Sequence, residues 1–199
     1  MRIGLTGGVC TGKTTALKVL KELGFDTIDL DSYIHEALQG NDDLKISAAD
    51  RIQKKFAANA DGRPDFVDKV TRMISAGGET MGELENLILP ELESIWSRDS
   101  RVITIVEVPM LFEGNLERHF DFVICIYSNY AMQLARAALL RNWPKSRFDA
   151  CVNLQMPLSE KMVYSNYVIG NNGTPLQFYR QIRHFIQSID LLGRLRRTL

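Results

Sequence analysis

Short apolar runs alternate along this chain with longer stretches in which apolar residues recur every three or four positions. Ile3-Gly4-Leu5-Thr6 predicts a buried first strand. Ala16, Leu17, Val19, Leu20 and Leu23 then predict a helix over 15–23, closed by Gly24. Residues 25–29 predict a second short strand. Between residue 32 and roughly residue 100 the strand period disappears. Apolar positions there fall at helical spacing over 33–38, 44–56, 66–74 and 84–96, with Asp61-Gly62-Arg63-Pro64 and Gly77-Gly78 as breakers. Pro90 either begins a helix or kinks one.

Arg101 opens a β-branched run to Val108, as a central parallel strand requires, and 120–127 predicts another buried strand. A helix over 129–140 is expected to pack Met132, Leu134, Ala135, Ala138 and Leu139 inward. Asn142-Trp143-Pro144 breaks it before a shorter helical stretch over 145–154. A last strand is expected over 164–169, a turn at Gly170-Asn171-Asn172-Gly173, and a closing amphipathic helix over 174–195. That helix is expected to bury Leu176, Phe178, Ile182, Phe185, Ile186, Ile189 and Leu192. Five strands alternating with helices imply an α/β fold, a parallel five-stranded sheet sandwiched by helices. The expected organisation is a single unit over 1–199. Its core is 1–31 with 101–199, its helical insertion is 32–100, and a small helical lid covers about 141–157.

Composition narrows the class. At 199 residues the chain has the length of one domain with an insertion, and its 24 Lys+Arg balance 24 Asp+Glu. Zero net charge gives no reason to expect nucleic acid or a membrane surface as partner. The three cysteines, Cys10, Cys125 and Cys151, form no paired framework, which suits a reducing cytoplasm. No apolar run is long enough to span a bilayer, and no signal peptide is expected.

The chemistry concentrates where the first strand meets the first helix. Gly7-Gly8-Val9-Cys10-Thr11-Gly12-Lys13-Thr14 is G-x-x-x-x-G-K-[ST], a phosphate-binding loop between a strand and a helix. Its glycines let backbone N–H groups approach phosphates, and the helix N-terminus adds partial positive charge. Lys13 can reach β- and γ-phosphates of a nucleotide such as ATP, and the Thr14 hydroxyl can ligate Mg²⁺. Asp29 and Asp31 end the second strand, where open α/β sheets put ligands. Either a base toward a substrate hydroxyl or a helix cap at Ser32 explains Asp31. Glu107 either reaches Mg²⁺ through water or caps the next loop. Arg136 and Arg141 either stabilise a transferring phosphoryl group or lie on a solvated helix face.

These stretches together resemble the dephospho-coenzyme A kinase family nearly end to end. Ile3-Gly4-Leu5-Thr6-Gly7-Gly8 with Gly12-Lys13-Thr14 matches the family's start, and Ile28-Asp29-Leu30-Asp31 follows at its spacing. Val108-Pro109-Met110-Leu111-Phe112-Glu113, then Gln155-Met156-Pro157-Leu158 with Lys161, then Tyr167-Val168-Ile169 with Asn171 and Gly173, are more diagnostic. The resemblance implies transfer of the ATP γ-phosphate to the ribose 3′-hydroxyl of dephospho-coenzyme A, with Mg²⁺. It implies ATP contacts from Gly7, Gly8, Val9, Cys10, Thr11, Gly12, Lys13, Thr14 and Thr15, and from Arg136 and Arg141. Asn171 and Gly173 would lie near the adenine. Asp31 would be the base, Lys13 and Arg141 would assist transfer, and Thr14, with Glu107 through water, would hold the metal. Asp31, His35, Pro109, Leu111 and Phe112 would meet the acceptor. A monomer or weak homo-oligomer is expected.

The departures from the family lie mostly in the insertion. His35 stands for an Arg, Leu89 for a His, and Phe66 falls near an expected Asp-Arg pair. Cys10 stands for a loop Gly, Glu107 for an Asp, and Asn166 and Gly170 for acids beside the last strand. The alternatives are a kinase for another nucleoside-like or nucleotide-like acceptor, or a nucleotide-binding regulator with little catalysis. A thiol at a helix N-terminus is open to a lowered pKa and a redox role, and the plainer reading of Cys10 is a small residue filling the loop.

Overall fold

The computed structural model describes residues 1–30, 32–33, 89–90, 92–93, 96–97, 103–108 and 110–195. The strands are β1 (Arg2–Gly7), β2 (Asp26–Asp29), β3 (Thr104–Glu107), β4 (Phe122–Tyr127) and β5 (Tyr167–Gly170). The helices are α1 (Lys13–Glu22), α2 (Tyr130–Arg141), α3 (Lys145–Asn153), α4 (Leu158–Tyr164) and α5 (Pro175–Leu195). All four strand pairings are parallel and the sheet order is β2-β3-β1-β4-β5.

Strand alternation sends side chains to two distinct cores. Ile3, Leu5, Ile105, Ile124, Ile126 and Ile169 pack against Ala16, Leu17 and Leu20 of α1 and Phe178, Ile182, Phe185 and Ile189 of α5. On the opposite face Val106 and Val123 pack with Leu92, Met110, Leu111, Phe112 and Leu116. A side chain at Gly4 would lie 2.6 Å from Leu111, so the 110–116 turn sits directly on β1. Each large apolar side chain buried this way contributes about 1.5–3 kcal/mol. That fixes α5 against the sheet although Leu176, in its first turn, is exposed.

Three expectations need correction. The stretch expected to open the last strand is instead α4, with Tyr164 at its end, and the strand begins at Tyr167. Val163 and Tyr164 have strand-like propensity but are exposed, and Pro157 at the N-cap starts a helix that Leu158, Glu160 and Lys161 favour. On α2 the expected apolar face holds only in part: Leu134 packs against the Val9–Trp143 cluster and Met132 is half-buried, but the rest does not turn inward. Leu139 and Leu140 are 83% and 79% exposed, Ala135 and Ala138 are exposed, and the buried residues are Gln133 and Ala137. The inward face of α2 is polar because it meets the phosphate loop rather than the sheet. Leu176, expected inside, lies on the far side of α5 from Phe178, Ile182 and Phe185. The expected insertion at 32–100 falls almost wholly outside the described residues, as do Asp31, His35, Phe66 and Pro109. Leu89 is half-buried.

Candidate active site

The loop 7–12 crosses the carboxyl end of the sheet and enters α1. Gly12 caps the helix at φ 104°, and a Cβ there would stand 2.3 Å from the Asn171 amide nitrogen. Only glycine meets both demands. Cys10 adopts φ 54°, the left-handed conformation expected of a loop position that the family fills with Gly. The Cys10 side chain is partly buried against the cluster that contains Val9, Trp143, Phe148 and Cys151, which offsets part of that strain.

A polar collar holds the loop from β4, β5 and α2. Asn171 Nδ2 donates to Thr11 O at 2.8 Å, and Ser128 Oγ donates to Asn171 O at 2.8 Å. Arg136 donates to Ser128 Oγ at 2.8 Å, to Asn171 O at 2.7 Å, and to the Cys10 and Thr11 carbonyls at 3.4 and 3.3 Å. Gln133 Nε2 donates to Ser128 O at 2.7 Å. Asn129 N-caps α2 by accepting from Met132 N at 2.9 Å. Arg136 and Asn171, both expected at the nucleotide, therefore brace the loop with their side chains. Ser128 and Gln133 were not singled out in the sequence. Their only signal is position, just past the carboxyl end of a parallel strand.

Lys13 Nζ donates to Gly8 O at 2.8 Å and Gly7 O at 3.4 Å, so its ammonium lies inside the loop curve. Burial pushes the Lys13 amine below the ordinary lysine range. The Glu107 carboxylate opposes that shift, and the Lys161 and Arg141 cations add to it. Between the folded and unfolded values the unfolded chain holds the extra proton, so ligand-free stability rises with pH through that window. Bound phosphates would favour the charged amine. ATP binding is therefore expected to take up protons on the alkaline side, below the ordinary lysine range. Calorimetry in two buffers of different ionisation heat measures this, and a buffer-independent heat there would contradict it.

Thr14 Oγ1 donates to Glu107 Oε2 at 3.4 Å, and Glu107 is buried in register with Leu5 of β1 and Asp29 of β2. A hydroxyl and a carboxylate are the hard oxygens that Mg²⁺ takes alongside water, so this pair fits that ion. Asp29 Oδ1 accepts from Ser32 N at 3.2 Å. Asp29 thus ties down the turn after β2, the capping role that was weighed for Asp31.

Across the loop, Trp143 is buried with Val9, Ala137, Phe148 and Cys151. The exposed Arg141 lies with Cζ 5.0 Å from the Trp143 ring centroid. Lower in the site, Lys161 and Glu113 form a buried pair at 2.7 Å, their side chains 0% and 3% exposed. Both residues belong to the motifs that carry the family resemblance, yet neither received a role from the sequence. Leu111 is buried in the core and Phe112 is largely so, 6.0 Å from the Tyr164 ring centroid. A lowered pKa for Cys10 is corrected: burial pushes that thiol up, and the Arg141, Lys13 and Arg136 cations only partly offset it. Beside the loop, Gly170, Asn172, Gly173, Gln177, Arg180 and Gln181 line an open hollow of about 350 Å³.

Comparison with known proteins adds a family. The dephospho-CoA kinase family model matches residues 1–177. The dephospho-CoA kinase of Streptococcus agalactiae serotype III is 29% identical over 194 residues, which cover 94% of this chain and 98% of that protein. A crystal structure from Thermus thermophilus superposes with a TM-score of 0.73 at 21% identity, covering 94% of this chain and 96% of that one. Dephospho-CoA kinase from Campylobacter jejuni superposes at 0.55 and 20% identity with the same coverages. At those identities the two structures speak for the fold alone. Among the described residues, no helix is long and apolar enough to cross a membrane.

Proposed function

The chain belongs to the dephospho-CoA kinase family, and from that premise we propose that it transfers the γ-phosphoryl group of ATP to the ribose 3′-hydroxyl of dephospho-coenzyme A. The products are ADP and coenzyme A, and the reaction is the last step of coenzyme A synthesis. The observation that carries this reading is the braced phosphate loop, with the Lys13 ammonium inside it and the Thr14–Glu107 oxygen pair at its foot.

Lys13 and the loop N–H groups hold the β- and γ-phosphates. Thr14, with Glu107 through water, would hold Mg²⁺, which would supply neutralisation of charge on those phosphates. Asp31 takes the proton from the acceptor hydroxyl, whose oxygen forms the new bond to Pγ as the bond from Pγ to the bridging oxygen of ADP breaks. Arg141 reaches over the transferring group from the segment 141–157, which acts as a lid. The hollow beside Gly173 receives the adenine. The insertion at 32–100, with His35, and the segment through Pro109, Leu111 and Phe112 form the acceptor side. The enzyme works in the cytoplasm, as a monomer or weak homo-oligomer.

Release of ADP from ATP and Mg²⁺ with dephospho-coenzyme A tests this, with simple nucleotides as parallel acceptors. Turnover of roughly 1–100 per second with a new 3′-phosphate on the product is the expected result. Asp31→Asn is expected to lower kcat about a hundredfold with ATP affinity kept, as loss of a general base requires. Turnover only on simple nucleotides, or an unchanged kcat in Asp31→Asn, would overturn the assignment of acceptor or base respectively.

A further inference from the structure

Trp143 has no part in the chemistry above, yet it sits where the phosphate loop, the end of α2 and the start of α3 converge. Asn142 ends α2 in the left-handed conformation at φ 51°, and Trp143 N–H returns to Ala137 O at 3.1 Å. That backbone turn ends the helix on a left-handed residue, and it is covered by an apolar contact. Here the contact is the indole itself, buried with Val9, Ala137, Phe148 and Cys151, with Cys10 packed against the same cluster.

The two loop residues in this cluster, Val9 and Cys10, lie in the middle of the phosphate loop. On the ring of the same indole stand two guanidinium groups. Arg141 Cζ, from the last turn of α2, is 5.0 Å from the centroid, and Arg147 Cζ, from the first turn of α3, is 4.4 Å away. Cation–π attraction is strongest for indole among the aromatic side chains. Arg141 is exposed, so its long side chain has many rotamers to choose among, and the ring restricts them to those near the loop. The Arg141 charge acts on Lys13 and Cys10 of the phosphate loop, so the guanidinium is near that loop.

We infer that Trp143 is a positioning residue, which docks the segment 141–157 on Val9 and Cys10 and presents the Arg141 guanidinium to the nucleotide phosphates. The inference rests on the proposed phosphoryl transfer for the role of Arg141, but the docking itself does not. Trp143 contributes through Arg141, so its effect vanishes when Arg141 is gone. A residue that merely fills a core would lower stability with or without Arg141.

A double-mutant cycle of Trp143→Leu and Arg141→Ala separates the two. In the wild-type background Trp143→Leu is expected to lower kcat about tenfold, the scale of a partly desolvated cation–π contact. In the Arg141→Ala background the same change is expected to have no further effect on kcat. Equal losses in both backgrounds would overturn the inference. Trp143→Phe keeps a π face and is expected to stay within about threefold of wild type in kcat, and this variant decides the matter should Trp143→Leu not fold. Tryptophan emission gives an arm independent of turnover. ATP with Mg²⁺ is expected to shift emission in the wild type, far less in Arg141→Ala, and not at all in Trp143→Phe. The same shift in Trp143→Phe, or none in the wild type, would refute the docking. If ATP binds without turnover on dephospho-coenzyme A, the proposed reaction fails and the emission arm alone decides the inference.

Discussion

Lys13→Met is expected to lower kcat by about 10²–10³-fold at saturating ATP, the loss typical of removing one preorganised charge-stabilising donor. Under the proposed phosphoryl transfer the loss is expected on the chemical step. Lys13 Nζ is held by the Gly7 and Gly8 carbonyls at 3.4 and 2.8 Å, inside the loop curve. Those acceptors are neutral, and burial already disfavours the charge on the amine. In the proposed transfer, charge that develops on the phosphoryl group would therefore be met by a buried ammonium whose hydrogen-bond acceptors are neutral carbonyls. Among the described residues Glu107 is the carboxylate that shifts this amine upward, and in the proposed site that carboxylate would be engaged with Mg²⁺. ATP affinity should fall as well, by about tenfold, because N–H groups of the loop and the α1 terminus remain. Lys13→Arg should not rescue kcat, since a planar five-donor fork does not fit where one ammonium lies between two successive carbonyls. Single-turnover measurement of ADP formation checks the chemical step. A loss below about threefold in kcat for Lys13→Met would remove Lys13 from transition-state stabilisation.

What the sequence made legible follows from the range of the forces involved. The phosphate loop is local: strand, glycines and helix occupy adjacent positions, and their order implies their geometry, down to the positive φ at Cys10. The parallel sheet is also legible, because buried β-branched runs such as Thr104–Glu107 and Phe122–Tyr127 have no other place to go. The face of α2 was not. Helical spacing assigns its apolar side inward, but its neighbours are the loop, whose carbonyls accept from Arg136, and the segment after β4, where Ser128 O accepts from Gln133. Leu139 is left outward, and only the tertiary arrangement reveals this. In α4, strand-like Val163 and Tyr164 competed with the helix start at Pro157, and the helix prevailed because Lys161 has a buried partner. That partner, Glu113, sits on the turn after β3, so no local pattern announces it. The residues carrying the proposed base and much of the acceptor side lie outside the described part of the structure, and their arrangement is legible only through the family resemblance.

The buried pair itself leads to the largest expected stability effect. Lys161→Met should destabilise the folded protein by about 3–5 kcal/mol, the usual consequence of removing one partner from a buried ion pair. Glu113 Oε1 accepts from Lys161 Nζ at 2.7 Å and from Met156 N at 2.8 Å, while Oε2 is buried without a hydrogen-bond partner. With Lys161 gone, a carboxylate in the core keeps one backbone N–H for support. For a chain of this size the deficit corresponds to a fall of roughly 6–20 °C in Tm. Lys161→Met combined with Glu113→Gln should recover most of the loss, because a neutral amide can still accept from Met156 N and leaves no unpaired charge. The functional consequence follows from what the pair roots. Met156 lies at the end of the segment 141–157, and Leu158, next in line, reaches within 3.4 Å of where a side chain on Gly8 would stand. Loosening Glu113 thus loosens the far anchor of the segment 141–157 against the phosphate loop, and the single variant should lose ATP affinity before it unfolds, while the double variant regains both together. Denaturant titration, paired with ATP calorimetry on the same samples, measures these effects. A Lys161→Met protein within about 1 kcal/mol of wild type would mean that water or another cation reaches Glu113, and the pair would then be no anchor.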